Sequence, residues 1–116
     1  MTENIIGKKV RVIVDRPLGS YHPDNKELYY PINYGYVEGI IAPDGEEQDA
    51  YIIGVSEPLE SFEGVIVALV KRKDDIEDKL VVAAEYKEFS ATEIEEMIFF
   101  QEQYFDYQII IWKWVF

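Results

Sequence analysis

The stretch "APDGEEQDAYIIGV" (Ala42–Val55) gathers Asp44, Glu46, Glu47 and Asp49 directly before an apolar run. A second group, "KDDIEDK" (Lys73–Lys79), carries Asp74, Asp75, Glu77 and Asp78. Acids on a tight turn, completed by acids from another strand, are the usual supply for a hard cation such as Mg2+, which takes oxygen ligands and water. A calcium-binding EF-hand loop is excluded. Counted from Asp44, its required glycine falls on Asp49 and its closing glutamate on Val55. Strand alternation puts Glu77 and Lys79 on one face and Asp78 on the other. A carboxylate beside an ammonium suits a metal plus a phosphate oxygen. The competing explanation is a pair of solvated acidic turns with Lys79 in a surface ion pair.

The elements that must position these groups follow from patterning. "KKVRVIV" (Lys8–Val14) alternates as a half-buried strand. Asp15–Leu28 holds two prolines, a glycine and an asparagine and reads as loop. Further strands are expected at Tyr34–Ile41, with close backbone approaches at its glycines, and at Asp49–Val55, Val65–Lys73 and Lys79–Glu85. Glu57–Gly64 reads as a turn. Ser90 and Glu93 form a capping-box pattern. Ile94, Met97, Ile98 and Phe105 recur at helical spacing, so a helix is expected over Ala91–Phe105. Gln108–Phe116 reads as a last strand. The expected fold is mainly β (α+β): a small five-stranded OB-like barrel with one C-terminal helix and a terminal strand, forming a single domain over residues 1–116.

Composition narrows the chemistry. The chain has no cysteine, which removes disulfides, thiolate metal sites and a cysteine nucleophile. A net charge of −12 argues against nucleic acid as a partner. No apolar run approaches the ~20 residues that span a bilayer, and the first residues lack the pattern of a signal peptide. A cytoplasmic protein without membrane contact is the expectation.

The order "YPINYGYVEG" (Tyr30–Gly39), "DGEEQD" (Asp44–Asp49) and "EDKLVV" (Glu77–Val82) resembles the soluble family I inorganic pyrophosphatases, as a short, divergent member. That family carries Y-P-x-N-Y-G-Y, then D-G-D-P-x-D, then an acidic loop leading to D-x-K and an aliphatic residue. The resemblance covers about Val10–Ala84 and is weaker over the helix. It implies an OB-like barrel that hydrolyses pyrophosphate, or a related small phosphoanhydride, with Mg2+ (Mn2+ as the alternative) binding and deprotonating the attacking water.

Residue by residue, the resemblance implies metal ligation by Asp44, Glu46 and Asp49, with Glu46 standing where the family has Asp. In the acidic loop it implies Asp74 or Asp75, together with Glu77 or Asp78. Alternation favours Glu77, and a one-residue deletion would make Asp78 the ligand. Asp44, Asp49, Lys79 and Tyr34 are the implied catalytic set. Tyr30, Lys79, Tyr104 and Asp15 are the implied substrate contacts, Asp15 standing where a pocket glutamate is expected. Against this, the family's long hairpin with its phosphate-binding lysine and arginine is truncated. Phe105 stands where a phosphate-binding lysine belongs. The metal ligands are mostly present and the cationic grips mostly absent. Two readings follow: a Mg2+-dependent diphosphatase, or a relative that binds metal or phosphate without turnover.

The tail "IIIWKWVF" (Ile109–Phe116) is apolar on both faces if it is a strand, with Trp112, Trp114 and Phe116 on one side. One face can cover the barrel and the other needs a partner, so a homo-oligomer is expected.

Overall fold

The computed structural model describes residues 3–73 and 77–111. Five strands close into a ring: β1 (Lys9–Arg16), β2 (Asn33–Ile41), β3 (Glu47–Ile52), β4 (Ser61–Arg72) and β5 (Lys79–Ala83). Their order around it is β1-β2-β3-β5-β4, with β4 returning to β1. All neighbours are antiparallel except β3 and β5, which run parallel with Ala50 opposite Leu80. Helix α1 (Ala91–Glu102) follows, and β6 (Tyr107–Ile111) pairs with the C-terminal half of β4, outside the ring. The mainly β barrel with one helix and an added strand agrees with the sequence expectation.

Period-two alternation sorts the side chains into two cores. Val12, Val37, Ala50, Ile52, Ile66, Leu69, Leu80 and Val82 come from all five ring strands and fill the lumen. Tyr34, Tyr51, Ala68, Val70 and Val81 point the other way and pack with Ile94 and Ile98 of α1. Strand β5 is buried at every position, as its unbroken "LVVA" run requires. The helix starts at the predicted capping box: Ser90 Oγ accepts from the Glu93 N–H, and the Glu93 carboxylate accepts from the Ser90 N–H. No helix of the described residues is long and apolar enough to cross a membrane.

Several boundaries differ from the sequence reading: β1 runs on to Arg16, into the expected loop, and β5 ends at Ala83. Ser61–Gly64 is not turn but the start of β4, paired with Val10–Ile13 of β1. Gly64 serves contact rather than turning: a Cβ there would sit 2.4 Å from the Ala83 carbonyl oxygen. Strand β3 starts at Glu47 and ends at Ile52, before Gly54 (φ +78°), so Asp49 lies inside the strand. Helix α1 stops at Glu102, where the chain must turn back into β6. The expected approach is present at Gly35, where a Cβ would meet the Ile13 carbonyl oxygen at 1.9 Å, but not at Gly39, where a Cβ would meet nothing within 4 Å and the φ of +85° is what calls for glycine. The tail expectation for residues 112–116 lies outside the described residues.

Candidate functional site

The parallel pairing of β3 and β5 creates the central contact. Both strands begin at the same end of the sheet, and Ala50 and Leu80 both face the lumen. Asp49 and Lys79, one residue earlier on each, therefore lie side by side on the outer face. Lys79 Nζ donates to Asp49 Oδ2 at 2.8 Å and to Glu77 Oε2 at 3.4 Å. Glu77 and Lys79 thus share a face, as alternation predicts. Asp78 contributes its carbonyl oxygen, which accepts from Gln48 Nε2 at 2.6 Å.

Strand β2 adds Tyr34, paired with Tyr51 in β3. Its hydroxyl donates to the same Asp49 Oδ2 at 2.7 Å. Burial, then the Asp49 charge and this hydrogen bond, raise the Tyr34 pKa well above the ordinary tyrosine value, so the hydroxyl stays protonated. Asp49 Oδ1 takes no hydrogen bond among the described residues. Asn33 of the same motif is structural. Its fully buried side chain accepts from the N–H groups of Leu18 and Leu59 and donates to the Glu57 carbonyl.

Asp49, Glu77 and Lys79 form the wall between two concavities. The smaller, about 220 Å3, is lined also by Asp44, Glu46, Glu47 and Asp78. It presents six acids against a single lysine. Asp44 shapes its rim by accepting the Glu46 N–H at 3.0 Å, with Gly45 at φ +89° completing the turn. Neither Asp44 nor Glu46 has a cation within ion-pair distance among the described residues, so their oxygens remain available. An all-oxygen, strongly anionic donor set fits a hard divalent cation. Among the described residues, no three acids already converge on one metal position. Asp75 lies outside the described residues.

The larger concavity, about 730 Å3, is lined by Arg16, Tyr34, Arg72, Tyr104 and Phe105 beside the shared wall. Tyr104 stands 69% exposed at its edge. Tyr30 is 0% exposed: its hydroxyl accepts from Arg16 Nη1 at 2.7 Å and donates to Gln101 Oε1 at 2.5 Å. Tyr30, expected as a substrate contact, is covered by Arg16 and Phe100. Asp15 does not line either concavity. It is the extra residue of a β-bulge, since Val14 faces Gly35 and Arg16 faces Tyr34. Partial desolvation raises its pKa above the ordinary carboxylate value; Arg16 pulls it down and Asp49 pushes it up.

The sequence reading missed the polar spine beneath this pocket. Gln101 Nε2 donates to Tyr51 Oη at 2.8 Å, and the Tyr51 hydroxyl donates to Glu102 Oε2 at 2.5 Å. Arg72 closes the chain with two bonds to Glu102. The Arg72 guanidinium also lies 3.6 Å from the Phe105 ring centroid. A continuous hydrogen-bonded path therefore runs from Arg16 through Tyr30, Gln101, Tyr51 and Glu102 to Arg72. Its signal was in the sequence: Gln101 and Glu102 continue the Ile94–Ile98 stripe, where apolar residues would be expected. Arg16 had no such signal, because only the bulge puts it here.

No family model matches the chain, and neither does any curated protein. Solved structures do. An inorganic pyrophosphatase from Ehrlichia chaffeensis superposes with a TM-score of 0.67 at 18% identity, covering 93% of this chain and 86% of that one. One from Neisseria gonorrhoeae gives 0.64 at 19% identity over 84% and 74%. One from Coxiella burnetii gives 0.63 at 18% identity over 93% and 89%. The chain has the fold of these inorganic pyrophosphatases.

Proposed function

We propose that this chain hydrolyses inorganic pyrophosphate, or a related small phosphoanhydride, with Mg2+ as cofactor and Mn2+ as the alternative. The observation that carries the reading is the meeting of Tyr34 and Lys79 on one oxygen of Asp49, between an acidic concavity and one that Arg16 and Arg72 also line. The shared fold supports it.

Asp49, Glu77, Asp44 and Glu46 are the residues that would hold the cation, with Asp75 and Asp78 as the loop's further candidates. Bound there, a divalent cation supplies charge neutralisation and a water of lowered pKa. Pyrophosphate could not enter so acidic a site without it. The chain's own residues do the rest. Tyr34 and Lys79 fix Asp49 through Oδ2, leaving Oδ1 as its ligand oxygen. Lys79 has three N–H donors and uses two on carboxylates, so the third serves a phosphoryl oxygen. Burial keeps the Tyr34 hydroxyl a donor throughout.

A second reading has one specific support. Asp49 already receives two protein donors, and Arg72 is committed to Glu102 beneath Phe105. A non-catalytic metal- or phosphate-binding protein would tolerate that arrangement. Phosphate release from pyrophosphate, measured with Mg2+, with Mn2+ and with chelator, separates the two. Metal-dependent release is expected, and its absence under all conditions selects the second reading.

A further inference from the structure

We infer that Arg16 is a phosphate-gripping residue of this pocket, acting beside Lys79; the inference rests on reading the site as one for pyrophosphate-class anions. Val12 and Val14 pack with the lumen, and plain alternation would send Arg16 inside after them. The bulge at Asp15 reverses this and sets Arg16 opposite Tyr34. Bulges that re-aim a side chain gather beside functional sites. There the guanidinium lies 5.3 Å from the Tyr34 ring centroid and 5.6 Å from that of Tyr30.

The other cations of the pocket already carry carboxylate partners. Lys79 is paired to Asp49 and Glu77, and Arg72 is paired to Glu102 and covered by Phe105. Arg16 alone among these three has no carboxylate within ion-pair distance among the described residues. That is notable in a chain of net charge −12. Its one side-chain hydrogen bond, to the neutral Tyr30 hydroxyl, uses one of five donors. The remaining fork matches two oxygens of a phosphoryl group in one plane. Tyr30 is the positioning residue: it joins Arg16 to Gln101 and hence to α1, so the guanidinium is held before ligand arrives.

The test is binding of methylenediphosphonate, a pyrophosphate analogue that resists hydrolysis, by calorimetry in Mg2+ with wild type, Arg16→Gln, Arg16→Lys and Tyr30→Phe. Loss of charge-assisted hydrogen bonds should weaken Arg16→Gln by about 10- to 100-fold. Arg16→Lys should recover part of this, and Tyr30→Phe should weaken binding less. Should Arg16→Gln not fold, the guanidinium N–H resonance of Arg16 in the wild-type protein gives an independent readout by NMR and should shift on saturation. Wild-type affinity in Arg16→Gln, or an unmoved resonance, overturns the assignment. Arg16-dependent binding without turnover of pyrophosphate upholds it and defeats hydrolysis alone. Absence of binding to the wild type defeats both.

Discussion

Arg72 and Glu102 meet through two hydrogen bonds, Nε to Oε1 at 3.0 Å and Nη2 to Oε2 at 2.8 Å, with the Glu102 side chain wholly buried. The pair joins the end of β4 to the end of α1 and also anchors Tyr51. Breaking one side of such a pair strands a buried charge. Arg72→Met should therefore cost about 3–5 kcal/mol of stability. The double variant Arg72→Met/Glu102→Leu should recover most of it. Chemical denaturation of the three proteins measures this, and an unaffected Arg72→Met would mean the pair does not hold helix to barrel.

Asp49→Asn keeps the shape of the side chain and removes its charge. Hydrolysis should fall by at least about 100-fold, the scale for losing one electrostatic element of a site, while the circular dichroism stays native. In the acidic loop, Glu77→Gln should impair activity more than Asp78→Asn, because Glu77 shares the face of Lys79. The opposite ranking in a kinetic comparison would assign the ligand role to Asp78.

Mg2+ should raise the melting midpoint. A cation that binds only the folded state adds about 2.7 kcal/mol at 100 times its dissociation constant, and it relieves repulsion among the six acids of the smaller concavity. Thermal scans across a magnesium series test this. A flat midpoint would leave those acids as a solvated rim.

Tyr107 bears on alkaline stability. Burial, then its hydrogen bond to Glu95 and the Glu95 charge, push its pKa from 10.0 up to about 12. The unfolded chain loses this proton first, so the contribution is complete below pH 10 and is lost as pH rises towards 12. Tyr107→Phe should flatten that part of the stability curve relative to wild type. Denaturation midpoints across the window decide, and parallel curves would remove Tyr107 from the account.

Strand β6 is bonded on one side only among the described strands, to β4. Its other edge offers backbone donors and acceptors to a second chain. Light scattering should find a homo-oligomer that dissociates or aggregates when residues 111–116 are deleted. A monodisperse full-length monomer would refute this.

What could be read from the sequence was whatever local pattern controls. The capping box at Ser90 and the runs of β1, β2 and β5 report short-range preferences, and they folded where expected. The acidic turn and Lys79 could be singled out because their residue types are unusual for a core or a plain strand. The start of β4 was hidden, because Gly64 resembles a turn residue until the Ala83 carbonyl is set against it. Arg16 was hidden for a related reason. A bulge is fixed by pairing with a distant strand, and one inserted residue reverses which face every later side chain takes. The spine from Tyr30 to Arg72 joins the loop before β2 to β3, β4 and α1, and no window of neighbouring residues contains it.

The parallel pairing of β3 with β5 also sets a timetable. Asp49 and Lys79 are 30 residues apart, and β4 is made between them. A nascent chain that has emerged only as far as β3 holds Tyr34 and Asp49 but not the lysine that neutralises Asp49. Closing the ring requires β4 to pair with β1 and β5 with β3, non-local contacts of the kind that slow folding. The Tyr34–Asp49–Lys79 contact therefore forms in the event that seals the ring. Contacts that need Glu77 or Lys79 become available to a ligand only when β5 is in place.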